Sequence, residues 1–184
     1  MSPNKWGPPV WTLFHTLAEK ITDFGYSRVG NQLFYHIYRI CNSLPCPDCA
    51  EHATNFLKKV NPASLKTKTH LKNLLYVFHN AVNIRKYKPT FHTFNMEIYK
   101  RKNLNNVLNN FVSVYNTRGN MKLLTESFQR DRVLREFKKW FATNYYLFIE
   151  PPPQPQPQPQ PQPTPNQNIN SEQKSSTGSD IAMV

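Results

Sequence analysis

An all-α fold, built around a small antiparallel helical bundle, is what this sequence predicts, and three observations predict it. Four segments before residue 90 repeat apolar residues at intervals of three and four, the period of an amphipathic helix. No stretch in that region alternates apolar and polar residues as a half-buried strand does. Prolines stand at the segment boundaries, where a missing amide proton costs little or a helix must stop.

The elements follow in order. Pro8 and Pro9 suit the first turn of a helix, and "VWTLFHTLAEKI" then sets Trp11, Phe14, His15 and Ala18 near one face. A turn around Gly25 is expected next. "RVGNQLFYHIYRICNSL" reads as the second helix, with Leu33, Phe34, Ile37 and Ile40 sharing a face. Pro45 ends it, and Pro47 begins the third at its first helical position, so Cys46 falls at the N-cap and Cys49 at the third helical residue. "AEHATNFLKKV" continues this helix until Asn61-Pro62 stops it. A fourth runs through "THLKNLLYVFHNAVNIRK", with Leu71, Leu74, Leu75, Phe78 and Val82 as its core stripe, and Lys88-Pro89 closes it.

Beyond residue 95 the pattern changes. "NMEIYKRKNLNNVLNNFVSVYNT" stays open between helix and coil, because its many Asn residues are poor in helix interiors. Residues Met121 to Phe148 are expected to form a helix burying Phe137, Trp140 and Phe141, opposite Arg132, Arg135 and Lys138. Residues up to about Tyr99 should close their own core, so this added helix is expected to cover a second subunit or a partner. From Pro151 onward the repeat "PQPQPQPQPQPQP" predicts an extended, disordered tail. The chain thus divides into a domain over 1–100, an additional mostly helical segment over 101–150, and a Pro/Gln-rich tail over 151–184.

Composition bounds the function classes. The 184 residues hold 23 Lys and Arg against 11 acids, a net charge of +12 that raises the question of anionic partners. The cations are spread from Lys58 to Lys139 without a dense block, so neither nucleic acid nor membrane is expected as a partner, and affinity for an anionic cofactor accounts for some of the charge. The opening residues carry prolines and charge where an apolar targeting segment would stand, so a cytoplasmic address is expected. Three cysteines are too few for a disulfide-stapled scaffold, and in a reducing compartment a Cys-x-x-Cys pair is more often metal-binding or redox-active.

That pair, Cys46 and Cys49, is the first chemical constellation. At a helix N-terminus the macrodipole favours thiolate over thiol, and one turn separates the two sulfurs, close enough for a disulfide. Zinc is the alternative and would need two further ligands from Cys41, His52, His79 and His15, which no finger spacing connects. An interaction module with a structural Cys-x-x-Cys therefore stands beside a redox enzyme. His79, Asn80 and Asn83 form the second constellation, within an arc of about 100° on a leucine-rich helix. Polar groups so placed need partners, and three together point to a ligand surface.

Taken together, "WGPPVWTLFH", "LPCPDC" and "FHNAVNIRKYKP" resemble the three motifs of the Erv/ALR family of FAD-linked sulfhydryl oxidases, in the family's order and spacing. The resemblance implies a four-helix bundle around FAD with a short fifth helix, usually as a homodimer. It implies that Cys49 is the flavin-proximal thiol and Cys46 the distal one attacked by substrate thiolates. Trp6, Gly7, Trp11, His15 and His52 are implied to contact the cofactor, with Trp11 and His15 lining the flavin. His79, Asn80, Val82 and Asn83 would hold the adenosine half, with Lys88 near the diphosphate; no metal is implied. Electrons would pass from a thiol-containing protein substrate, such as a thioredoxin-like carrier, through FAD to oxygen, giving hydrogen peroxide. Cellular members carry a structural disulfide whose positions match Tyr76 and Thr93 here, and the usual Leu before the motif lysine is Lys86. These departures are closer to the short members encoded by large cytoplasmic DNA viruses, which implies host cytoplasm and virion as locations.

Overall fold

The computed structural model describes residues 2–115 and 124–149, and every regular element among them is helical. The helices are α1 (Pro3–Lys20), α2 (Asp23–Asn42), α3 (Pro47–Leu57), α4 (Lys68–Arg85), the short α5 (Glu97–Lys100), α6 (Leu104–Tyr115) and α7 (Leu124–Asn144). Short 3-10 turns at Pro62–Ser64, Thr93–Met96 and Tyr145–Phe148 join or end them. None of the helices is long and apolar enough to cross a membrane among the described residues.

Two helix starts differ from the sequence expectation. α1 begins five residues early, at Pro3, because Ser2 caps it with Oγ accepting the Asn4 amide at 3.3 Å and Pro3 takes the first helical position. Pro8 and Pro9 therefore lie inside the helix. Their missing amides fall opposite the carbonyls of Asn4 and Lys5, exposed residues of the first turn that water can serve. Gly25 makes no turn either. The chain reverses at Ile21 and Thr22, Thr22 caps α2 by accepting the Gly25 amide at 2.9 Å, and Gly25 lies in the first turn of α2. Its glycine identity serves close packing, since a Cβ there would stand 2.6 Å from the Leu147 carbonyl oxygen.

α1 packs against α4, α5 and α6, while α2 packs against α3, α4 and α7. A single apolar cluster joins them, running from Leu13 and Leu17 through Leu33, Ile37 and Phe78 to Phe111 and Phe137. The Asn-rich stretch resolves as helix α6 because tertiary packing outweighs propensity. Leu104, Val107, Phe111 and Tyr115 are buried while Asn105, Asn106, Asn109 and Asn110 face outward.

The added segment also departs from expectation. Phe137 and Phe141 are buried and Trp140 only in part, its Nε1 donating to Gln32 Oε1 at 2.8 Å. These rings cover α2 and α6 of the same chain, so a second subunit or partner is not what they bury. The expected helix start at Met121 and the Pro/Gln tail lie outside the described residues.

Tyr76 and Thr93 stand where the resemblance implies a structural disulfide, and all three cysteines are free. A two-way amide bond ties the same pair of elements instead. Asn80 Nδ2 donates to the Phe91 carbonyl at 3.0 Å, and the Phe91 amide donates to Asn80 Oδ1 at 2.6 Å.

Candidate cofactor and redox site

The Cys46–Cys49 pair owes its geometry to a proline on each side. Pro45 ends the preceding connection, Pro47 opens α3, and Cys46 between them takes extended backbone at the N-cap. Its Sγ accepts the Cys49 amide at 3.3 Å. Cys49 lies one turn in. Partial burial pushes its thiol up to about 11, the Cys46 sulfur adds to the rise, and Lys86 and Arg85 oppose it. The reduced Cys49 is thus a thiol whose ionisation depends on the two cations beside it.

Cys49 faces a cavity of 490 Å³ enclosed by the first half of α1, the start of α3 and the second half of α4. From α1 come Trp6, Gly7 and Trp11; from α3, His52. From α4 and its exit come His79, Val82, Asn83 and Lys88. Of the remaining residues with an expected role, Cys46 stands outside the lining, half-buried as Cys49 is, and Asn80 is engaged with Phe91. His15 is behind the wall, fully buried, with Nε2 3.0 Å from His79 Nδ1.

The aromatic wall is flat. Trp11 and His79 stack with centroids 4.1 Å apart and planes 9° from parallel, and Phe91 continues the stack 5.0 Å beyond His79. Burial lowers His79 to about 4 and His15 to about 3, with Lys88 and His79 as the respective second causes, so both rings are neutral at pH 7. One of the facing nitrogens therefore carries the proton and the other accepts it.

The polar end is built by the exit from α4. Lys88 N–H bonds the Asn83 carbonyl at 2.9 Å and Tyr87 N–H bonds the Ile84 carbonyl at 3.0 Å, a Schellman closure with Tyr87 at φ 54°. That closure turns Lys88 back toward α1, where Nζ donates to Asn4 Oδ1 at 3.2 Å. Arg85, Lys86 and Lys88 thereby gather on one rim of the cavity, at a helix C-terminus that favours cations.

These features fit FAD. The volume is in the range of cofactor pockets, the aromatic wall suits a planar ring system, and the cations suit a diphosphate. Trp6 adds a specific signal: its Nε1 is buried in the lining with no acceptor among the protein atoms, a donor awaiting a ligand. Arg85, Lys86 and Tyr99 also line the cavity with no ligand role expected from the sequence, as does Cys41, which the sequence offers only as a zinc ligand. The helical period could have found Lys86, which shares a face with His79, Val82 and Asn83. Tyr99 arrives on α5 with no local signal. The zinc reading gains no support from the side chains: among the described residues no three or more His, Cys, Asp or Glu gather where they could hold a metal ion.

Comparison with known proteins agrees with this geometry. The model of the Erv1 / Alr family matches residues 8–103. An FAD-linked sulfhydryl oxidase of African swine fever virus is 32% identical over 80 residues, covering 44% of this chain and 66% of that one. A probable FAD-linked sulfhydryl oxidase of Monkeypox virus is 30% identical over 98 residues, covering 48% of this chain and 99% of its own length. A putative one of Invertebrate iridescent virus 3 is 27% identical over 90 residues, covering 48% of this chain and 61% of that one. No solved structure matches. The family match takes in the second and third motifs, the first from Pro8 onward, and over half of the residues, and the chain belongs to the Erv1/Alr family.

Proposed function

We propose that the protein is an FAD-linked thiol oxidase that makes disulfides in protein substrates. One observation carries the reading: Cys49 lines the cavity of the Trp11–His79 stack, while its partner Cys46 stands off the lining at a partly exposed N-cap. The pair so placed can take electrons on one side and release them on the other.

Starting from the Cys46–Cys49 disulfide, a substrate thiolate attacks Cys46 Sγ and Cys49 leaves as thiolate. A second substrate thiol, deprotonated, then attacks the mixed disulfide at the substrate sulfur, releasing an oxidised substrate and leaving Cys46 reduced. Arg85 and Lys86 stabilise the Cys49 thiolate on the cavity side, where burial alone would protonate it. Trp11 and neutral His79 hold a planar ring in place, Trp6 Nε1 supplies a hydrogen bond, and Lys88 with the α4 cations neutralises a diphosphate. FAD, when bound, supplies acceptance of the electron pair and its transfer to oxygen, giving hydrogen peroxide. The relatives' viral origin favours a viral protein acting in host cytoplasm. The same reading takes a thioredoxin-like carrier or another dithiol protein as substrate and a homodimer as the working form.

The test is spectroscopic and kinetic. The purified protein is expected to be yellow, with a flavin spectrum, and to consume oxygen when given dithiothreitol. Cys46→Ser and Cys49→Ser are each expected to lower turnover by at least about a thousandfold with FAD retained. Colourless protein carrying stoichiometric zinc would overturn the reading.

A further inference from the structure

α6 and α7 lie beyond the family match, yet both grip the last turn of α2, which feeds the redox pair. The Tyr115 hydroxyl, on a fully buried side chain, donates to the Ile40 carbonyl at 3.0 Å. That carbonyl already accepts the capping Ser43 amide at 3.1 Å, so both of its lone pairs are engaged. One residue earlier, Arg39 on α2 pairs with Glu136 on α7, which Arg132 also holds. Between this turn and Cys46 stand only Cys41 to Pro45. Cys41 lines the cavity, Ser43, Leu44 and Pro45 are buried, and Asn42 Oδ1 accepts the Thr54 hydroxyl of α3 at 3.1 Å. No slack separates the grip on Ile40 from the N-cap at Cys46.

We infer that α6 and α7 form a brace that sets the position of the redox pair, with Tyr115 as a positioning residue acting through the Ile40 carbonyl on Cys46. The inference rests on the reading of Cys46 as the thiol that meets substrate. Burial raises the Tyr115 phenol above its usual range, so the hydroxyl stays protonated and remains a donor. Removing it leaves the Ile40 carbonyl with the Ser43 amide alone, lets the α2 end shift, and loosens the 3.3 Å bond by which the Cys49 amide holds the Cys46 sulfur in place.

Tyr115→Phe keeps the ring and deletes only the hydroxyl. In the reduced holoprotein, kept anaerobic, alkylation of Cys46 by iodoacetamide is followed by peptide mass spectrometry at pH 7. The variant is expected to alkylate Cys46 at least threefold more slowly than the parent, with FAD content unchanged. Val133→Ala, a core deletion on α7 at a 2% exposed side chain, is the control. It is expected to lower the melting temperature while leaving the Cys46 rate unchanged, which a merely structural role for Tyr115 would also do. Should Tyr115→Phe fail to fold, Glu136→Gln releases the Arg39 tie and is read the same way, with at least a twofold slowing expected. A parent-like Cys46 rate in the folded variant would overturn the brace, and equal slowing in Val133→Ala would overturn Tyr115 as its positioning residue. A parent protein without flavin or oxygen consumption would instead sink the oxidase reading and leave the rate comparison standing.

Discussion

The Trp11 and His79 rings face each other at 4.1 Å and 9°, and His15 locks His79 from behind through a 3.0 Å nitrogen–nitrogen bond. This arrangement needs the accepting imidazole to be neutral, because a proton on its facing nitrogen would set two donors against each other, and burial disfavours charge on both rings. The folded values of about 4 and about 3 lie below the usual 6.5, so between them the unfolded chain binds more protons than the folded one. Stability contributed by the pair is therefore complete above pH 6.5 and is lost as pH falls toward 4. At pH 5 the loss is expected to reach roughly 2 kcal/mol per ring. Urea midpoints measured from pH 7 to pH 5 check this. An equally steep decline in His15→Asn/His79→Asn would assign the effect elsewhere.

Cys49 on the cavity wall and Cys46 off it set an order for the two thiols. Cys46→Ser is expected to keep a thiol against the flavin and to show a long-wavelength absorbance with oxidised FAD as pH rises, whereas Cys49→Ser is not. Titration of both variants in a spectrophotometer decides. A band seen only in Cys49→Ser would reverse the assignment.

Much of this site is legible in the sequence because its parts are local. The N-cap role of Cys46 follows from Pro45 and Pro47, and the face shared by His79, Val82 and Asn83 follows from the helical period. What the sequence hides is tertiary. His15 shares its helix face with Trp11, but only the angle between α1 and α4 puts it behind His79 rather than in the lining. Asn80 reads as a ligand from its neighbours, yet it bonds Phe91, eleven residues on, through a loop that has no local signature. Pro8 and Pro9 mislead because Ser2-Pro3 is the stronger start, and local rules do not rank two proline signals five residues apart.

Tyr87 occupies a left-handed position, at φ 54°, where a Schellman closure favours glycine. Its side chain is 98% exposed, so it has almost no packing to lose. Relief of the steric strain, less glycine's extra unfolded-state entropy, leaves a net gain of roughly 0.5–1 kcal/mol for Tyr87→Gly. Denaturant unfolding measures it, and a loss of stability would mean that the exposed ring makes contacts of its own.

Gly25 is constrained differently. The Leu147 carbonyl accepts the Thr22 amide at 2.9 Å, which pins the end of the described chain against the start of α2. A methyl group at Gly25 would meet that carbonyl oxygen at 2.6 Å and Leu147 Cβ at 2.8 Å, and neither can swing away as a long side chain could. Gly25→Ala is expected to cost about 1–3 kcal/mol. An unchanged midpoint would show that the Tyr145–Phe148 turn docks loosely.

Truncation after Arg101 tests whether the family-matched region can stand alone. It would remove Phe111, Tyr115, Phe137, Phe141 and Phe148, each of them buried in the common core. At about 1.5–3 kcal/mol for each fully buried large side chain, that burial rivals the whole stability of an ordinary domain. It would also bare the faces of α1 and α2 on which α6 and α7 lie, and cut the Tyr115 tie to Ile40. The fragment is therefore expected to be insoluble or unfolded, by gel filtration and circular dichroism, and to hold no flavin. A monodisperse, yellow, helical fragment would mean that α1 to α5 close their own core and that α6 and α7 are dispensable to it.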